Sequence, residues 1–414
     1  MKMFFFVLCV FFLINGFYIY PPFNSAILAP MLALLGALTL RKKITIKPFS
    51  DLLDPSFLFW FLFVSCYCLS IAVFSKTYDL SYVKNFISQL VQFAIILFSF
   101  FMLSSIDGAF SLKIEKIIVY SFVLQSVIQI AAFLYPGIAD IIHLFYDKDK
   151  VERLYINYAG VRGLALTGSP GWGISVGYAI SFLLFVKAFV INQKLKFSSI
   201  IVAILLLIGA MFTGRSAFIG VIFGGGYYLV SGEDITKKIK TIILFLILPA
   251  LICMLTYIML PSLSSLFGDK VFPFVFEFYY KYKDTGELST KSTDILLNMW
   301  DLNVDVTDIV FGTGNFTNDK TGEYYFGSDV GYLRNLLYGG FFWMFTLFIY
   351  QVSLFGQLRW WKKRKDIKLF VFIFIAMLML LEMKAMAIGY NKYVFTVSIL
   401  LGLSFKERYR NAYQ

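Results

Sequence analysis

Apolar runs of bilayer length recur along almost the whole chain, and they decide what it can fold into. They fall at about 3–20, 24–40, 56–74, 83–103, 116–135, 173–190, 198–213, 215–230, 241–260, 331–355, 367–383 and 388–404. A helix needs about 20 residues to cross hydrocarbon, and there every backbone N–H and C=O must be satisfied within the segment or a closed barrel. Hydrophobic residues make up 59% of the 414 and charged ones 15%, a balance that excludes a soluble domain of this length. The expectation is an all-α polytopic membrane protein of about 12 transmembrane helices, one integral domain over 1–414.

Charge sets the orientation. Arg41, Lys42, Lys43 and Lys47, then Lys113 and Lys116, Lys194 and Lys196, Lys237, Lys238 and Lys240, and the cluster from Arg359 to Lys368 fall in alternate connections. The positive-inside rule puts these on the cytoplasmic side, with both termini. Reading Thr213–Arg215 as the middle of one span would invert every later loop, so a break belongs there. The net charge of +12 is then a topology signal and not a nucleic-acid footprint. Met1 and Lys2 lead an apolar run without a small-residue cleavage site, which reads as an uncleaved first helix. Cys9, Cys66, Cys68 and Cys253 lie in or beside apolar segments, where cysteine is a small hydrophobe. With one histidine in the chain, a His/Cys metal site is not expected.

Two long connections fall on the outer face, about 136–172 and 261–330. The second is too long for a simple connector. It holds an aromatic, basic stretch from Phe272 to Lys283, an amphipathic helix expected over Thr290–Val304, and a glycine turn, Phe311-Gly312-Thr313-Gly314.

Two residues invite a chemical reading. Arg162 stands before a Gly/Ser/Pro turn that opens an apolar helix, and Arg215 is the only charge between Lys196 and Glu233. An ionised group near hydrocarbon is expensive and marks a wet cavity or a ligand, and guanidinium matches phosphate through its fixed fork of donors. Snorkelling to headgroups is the competing account. Asp329 precedes a helix and reads as a cap or as a substrate contact. Glu382 and Lys384 read as a structural ion pair. His143 reads as a surface or capping residue, with a base role open.

The blocks Arg162 ahead of Gly168-Ser169-Pro170, Thr213-Gly214-Arg215-Ser216-Ala217, Phe311-Gly312-Thr313-Gly314, Ser328-Asp329-Val330-Gly331-Tyr332-Leu333-Arg334 and Tyr338-Gly339-Gly340 resemble the O-antigen polymerase (Wzy) family, within the polymerase/ligase superfamily of bacterial surface polysaccharides. The resemblance implies a GT-C-like fold in the bacterial inner membrane. It implies polymerisation of undecaprenyl-diphosphate-linked oligosaccharide repeats into O-antigen or capsule, with no cofactor and with a chain-length regulator as a possible partner. Under it Arg162, Arg215 and Asp329 are the catalytic candidates, and Arg153, Arg334, Tyr332, Lys281 and Lys283 the substrate-binding ones. Related ligases carry a histidine late in the large outer loop. This chain has Asp329 in roughly that region, which favours polymerase over ligase. A lipid-linked oligosaccharide flippase or transporter is the further alternative, but it should keep its polar residues at midplane.

Overall fold

The computed structural model describes residues 2–20, 23–40, 55–147, 151–152, 154, 161–191, 196–232, 234–241, 243, 276–287, 289–300, 304–318, 323–356 and 365–411. It is 78% helical. Pro55–Phe74, Ser81–Ile106, Phe110–Leu134, Trp172–Val190 and Gly331–Ser353 are long and apolar enough to cross a membrane. Shorter apolar helices occupy Lys2–Asn15, Ser25–Thr39 and Phe197–Met211. Helices Lys365–Glu382 and Lys392–Asn411 close the chain. The break expected at Thr213–Arg215 is present: one helix ends at Met211, a 3-10 turn covers Arg215–Phe218, and a new helix runs Ile219–Val230. The run at 241–260 and the cluster at Arg359–Arg364 lie outside the described residues.

The chain divides into two compact units, each assembled from distant segments. The first comprises Met1–Ser25 and Glu115–Thr290. Its centre is Trp172–Phe185, buried from Gly173 onward. Glycine lets neighbouring backbones approach this helix: a Cβ at Gly220 would meet the Ala179 carbonyl oxygen at 2.1 Å. The Tyr178 hydroxyl is satisfied by Gln129 Oε1 at 2.7 Å and Ser126 Oγ at 2.9 Å. Asn15, in the last turn of the first helix, has a carbonyl that the helix itself cannot use. Gly168 N–H and Thr167 Oγ1 donate to it at 3.0 and 3.1 Å. The loop ahead of Trp172 is thereby fixed to the Lys2–Asn15 helix.

The second unit comprises Ala26–Ile114 and Lys291–Gln414. Gly331–Ser353 is its organising helix, and it is broken: Gly339 (φ −138°, ψ 15°) and Gly340 (φ 72°, ψ −170°) leave helical geometry. A break frees carbonyls that must be satisfied elsewhere. Thr313 N–H donates to Leu337 O at 2.6 Å and Gly314 N–H to Tyr338 O at 2.9 Å. The approach demands glycine, because a Cβ at Gly340 would stand 2.1 Å from Val310 O and one at Gly312 2.5 Å from Gly339 Cα. The blocks Gly312-Thr313-Gly314 and Tyr338-Gly339-Gly340, distant in sequence, are two halves of one joint.

Around that joint sits an aromatic core of Tyr82, Phe86, Tyr338 and Trp343. The Tyr82 hydroxyl bonds Asn335 Oδ1. Glu382, expected to pair with Lys384, uses its carboxylate differently: it accepts from Asn335 Nδ2 at 2.8 Å and from the N–H groups of Ala387 and Ile388 at 2.6 and 2.8 Å. The last helix is tied back by Ser404 Oγ and Arg408 Nη2, both donating to Ser111 O, at 2.7 and 2.8 Å.

Candidate functional site

Arg162 and Arg215 meet at one turn of the first unit. Val161 and Leu164, flanking Arg162, share an apolar cluster with Phe212, Ala132, Ala139 and Ile142. Burying that cluster draws the 161–164 segment against the end of the Phe197–Met211 helix, because apolar area leaves water. The Arg162 guanidinium then lies on Gly214: a Cβ there would stand 2.5 Å from Arg162 Nη2 and 3.5 Å from Ser175 Oγ. Gly214 takes φ +151°, and Ser175 Oγ donates to its carbonyl at 3.1 Å. Arg215 is the next residue. Its Nη1 pairs with Glu277 Oε2 at 2.8 Å, with both side chains partly exposed at 22% and 31%.

Other sequence-predicted residues of this unit take varied places. His143 approaches the same loop, its Nε2 lying 3.8 Å from a Cβ built at Gly163, which holds φ +86°. The stretch around Lys281 forms the helix Glu277–Thr285 with no buried residue. Lys281 Nζ is engaged by Ser289 Oγ at 2.6 Å and Glu287 Oε2 at 3.5 Å. Lys283 is exposed in the last turn, where a cation complements the helix dipole. Arg153 lies outside the described residues.

Asp329, Tyr332 and Arg334 belong to the second unit. The helix there opens at Gly331 with Val330 at the capping position and no side-chain cap, so Asp329 is not the cap its position suggests. Desolvation pushes the Asp329 carboxyl above its ordinary value, and the Arg334 charge opposes that rise. The Tyr332 hydroxyl donates to Met379 O at 2.9 Å, a structural bond. Arg334 is 6% exposed, with its Cζ 4.0 Å from the centre of the Phe316 ring and 3.5 Å from that of Tyr324. Stacking on both faces of a guanidinium is favourable through the ring quadrupoles.

No protein-family model, curated protein or solved structure matches this chain.

One acid that positions these groups carried no signal in the sequence. Asp79 lies between the Pro55–Phe74 and Ser81–Ile106 helices and is buried. Its Oδ2 accepts from Phe316 N–H and Thr317 N–H, both at 2.8 Å, and from Thr317 Oγ1 at 3.0 Å; Oδ1 accepts from Ser81 N–H at 2.9 Å. Burial alone would raise the carboxyl, but the bonds from Ser81, Thr317 and Phe316 outweigh it and leave it lowered. The segment that carries Phe316 under Arg334 is thereby clamped by one carboxylate. The expected amphipathic helix is present as Lys291–Trp300, and Asp329 N–H reaches Met299 Sδ at 3.4 Å.

Proposed function

We propose that the chain is a membrane glycosyltransferase that polymerises polyprenyl-diphosphate-linked oligosaccharide repeats into a bacterial surface polysaccharide. The observation that carries this reading is the packing of the Arg162 guanidinium on Gly214, beside Arg215. Two cations that sequence keeps far apart share one turn, in a helical chain built for a membrane. An acceptor hydroxyl attacks the anomeric carbon, the C–O bond to the diphosphate breaks, and the departing diphosphate gains negative charge. Fixed cations aimed at that developing charge lower the barrier, and guanidinium does so with paired donors. The acceptor proton leaves to a base, the role that the family resemblance suggests for Asp329.

In this reading the chain has twelve spans in a GT-C-like arrangement, sits in the bacterial inner membrane with both termini cytoplasmic, and works on the outer face. A chain-length regulator is its expected protein partner. The test is elongation of purified lipid-linked repeats by the full chain in detergent or nanodiscs. Arg162→Ala and Arg215→Ala should each abolish chain growth while remaining inserted and folded, and Arg→Lys at either position should impair it. Wild-type chain lengths from either alanine variant, at normal expression, defeat the diphosphate role. Activity lost in polymerisation but kept in transfer of a single repeat to a lipid core would assign the chain as a ligase instead.

A further inference from the structure

Arg334 presents an unused binding edge. Among the described residues its Nε and Nη2 are buried and hydrogen-bonded to nothing. These two nitrogens form the side-on edge of the guanidinium, whose parallel N–H groups match the two oxygens of a carboxylate or phosphate. Arginine does not escape by deprotonation, and each buried unmade hydrogen bond is costly. The neighbouring acids leave that edge open. Glu382 has its oxygens occupied by Asn335, Ala387 and Ile388, and Asp329 acts on Arg334 through its charge. Meanwhile Phe316 and Tyr324 cover the two faces of the group, so the edge is what remains for a partner.

We propose that the Nε/Nη2 edge of Arg334 is a binding site for a two-oxygen anion, a carboxylate or phosphate group on the ligand this chain handles. The aromatic clamp fixes the plane of the fork and keeps water from its faces. Tyr324 is the exposed side of the clamp. It is 45% exposed, is bridged to Thr317, and its carbonyl accepts from Gly327 N–H at 2.8 Å, while Tyr325 N–H donates to Phe316 O at 3.3 Å and Asn318 N–H to Glu323 O at 2.8 Å. Phe316, 2% exposed and fastened by Asp79, is the fixed side. The site stands on the second unit alone and holds whether or not the chain is a polymerase.

The experiment follows the thermal unfolding midpoint of the purified full chain as sodium phosphate or sodium glucuronate replaces sodium chloride at constant ionic strength. A ligand bound by the folded state alone raises the midpoint by mass action. Part of the rise given by at least one of the two anions should vanish in Arg334→Gln and persist in Arg215→Gln. An Arg334-dependent response to phosphate alone identifies a phosphate-bearing ligand, and one to glucuronate alone a carboxylate-bearing sugar. Equal responses in wild type and Arg334→Gln, or none in wild type, overturn the proposal. Should Arg334→Gln not fold, Tyr324→Ala at the exposed ring decides. Loss of one stacked face should weaken apparent anion affinity about 2–5-fold, and an unchanged affinity overturns the proposal. An anion response that does not depend on Arg334, alongside intact, Arg215-dependent elongation, would defeat this site and leave the polymerase reading standing.

Discussion

Replacing Asp79 by asparagine should release the segment that bears Phe316 without disturbing the helices beside it. The carboxylate holds three donors on Oδ2, all at 2.8–3.0 Å, and one on Oδ1. Hydrogen bonds to a charged group are worth about 1.5–3 kcal/mol each. They are not additive here, because the freed segment can reach water. Asparagine keeps an oxygen for Ser81 and turns an amide toward the other three donors, so a local loss on the order of 3 kcal/mol is expected. At about 1.4 kcal/mol per tenfold, amide exchange at Phe316 and Thr317 should accelerate on the order of 100-fold, read by hydrogen-exchange mass spectrometry in micelles.

The pH dependence of the same exchange checks the cause. Asp79 is held below the ordinary carboxyl value of 3.8. A depressed carboxyl contributes stability that is fully present above its unfolded value and is lost as pH falls through the folded one. After correction for intrinsic exchange, protection at Phe316 and Thr317 in the wild type should be flat from neutral pH down toward that value and fall below it. In Asp79→Asn it should already be low and should not change there. Wild-type protection in the asparagine variant would refute the reasoning, because the bonds could not then be what fastens the segment.

Three further outcomes follow from the geometry. Gly214→Ala places a Cβ 2.5 Å from Arg162 Nη2 at φ +151°, and it should cut elongation at least about tenfold, since roughly 1–3 kcal/mol of strain goes into the turn that carries Arg215; normal turnover would refute the shared turn. Glu277→Gln removes a half-exposed ion pair, so the unfolding midpoint should move by less than the equivalent of about 1 kcal/mol. Removing the Glu277 charge beside Arg215 should lower the apparent KM for the lipid-linked donor, and a rise in KM would show that Glu277 helps binding. Gly312→Ala drives a Cβ into the Gly339 backbone at φ +79°. It should lower stability by at least about 2 kcal/mol in chemical denaturation, because neither backbone can yield cheaply.

The sequence was legible where the physics is local. Among the described residues, apolar runs became helices at nearly the expected places because hydrocarbon leaves a backbone little choice. The Thr213–Arg215 break could be read because charge must keep to its side. Arg162 and Arg215 could be picked out as expensive charges, but their convergence depended on Val161, Leu164 and Phe212 sharing a cluster, and no spacing encodes that. Asp79 was silent for a plainer reason: an acid between two apolar runs looks like any loop charge, and three of its donors lie more than 230 positions away. Asp329 read as a cap because aspartate before a helix usually is one, whereas here Val330 holds that position.

The broken helix also changes its surroundings at the break. Before the break, Leu333, Arg334, Asn335, Leu337 and Tyr338 are enclosed by protein. Directly after it, Phe341, Phe342 and Phe345 turn outward at 63%, 58% and 54% exposure, the kind of surface that hydrocarbon wets. The stretch 341–353 alone spans about 20 Å at 1.5 Å per residue, short of a bilayer core of about 30 Å. The segment before the break is instead wrapped in its own protein, and Arg334, six residues before Gly340, lies in that enclosed half. Two glycines thus divide one helix into a half that shelters a permanent cation and a half that turns apolar rings outward.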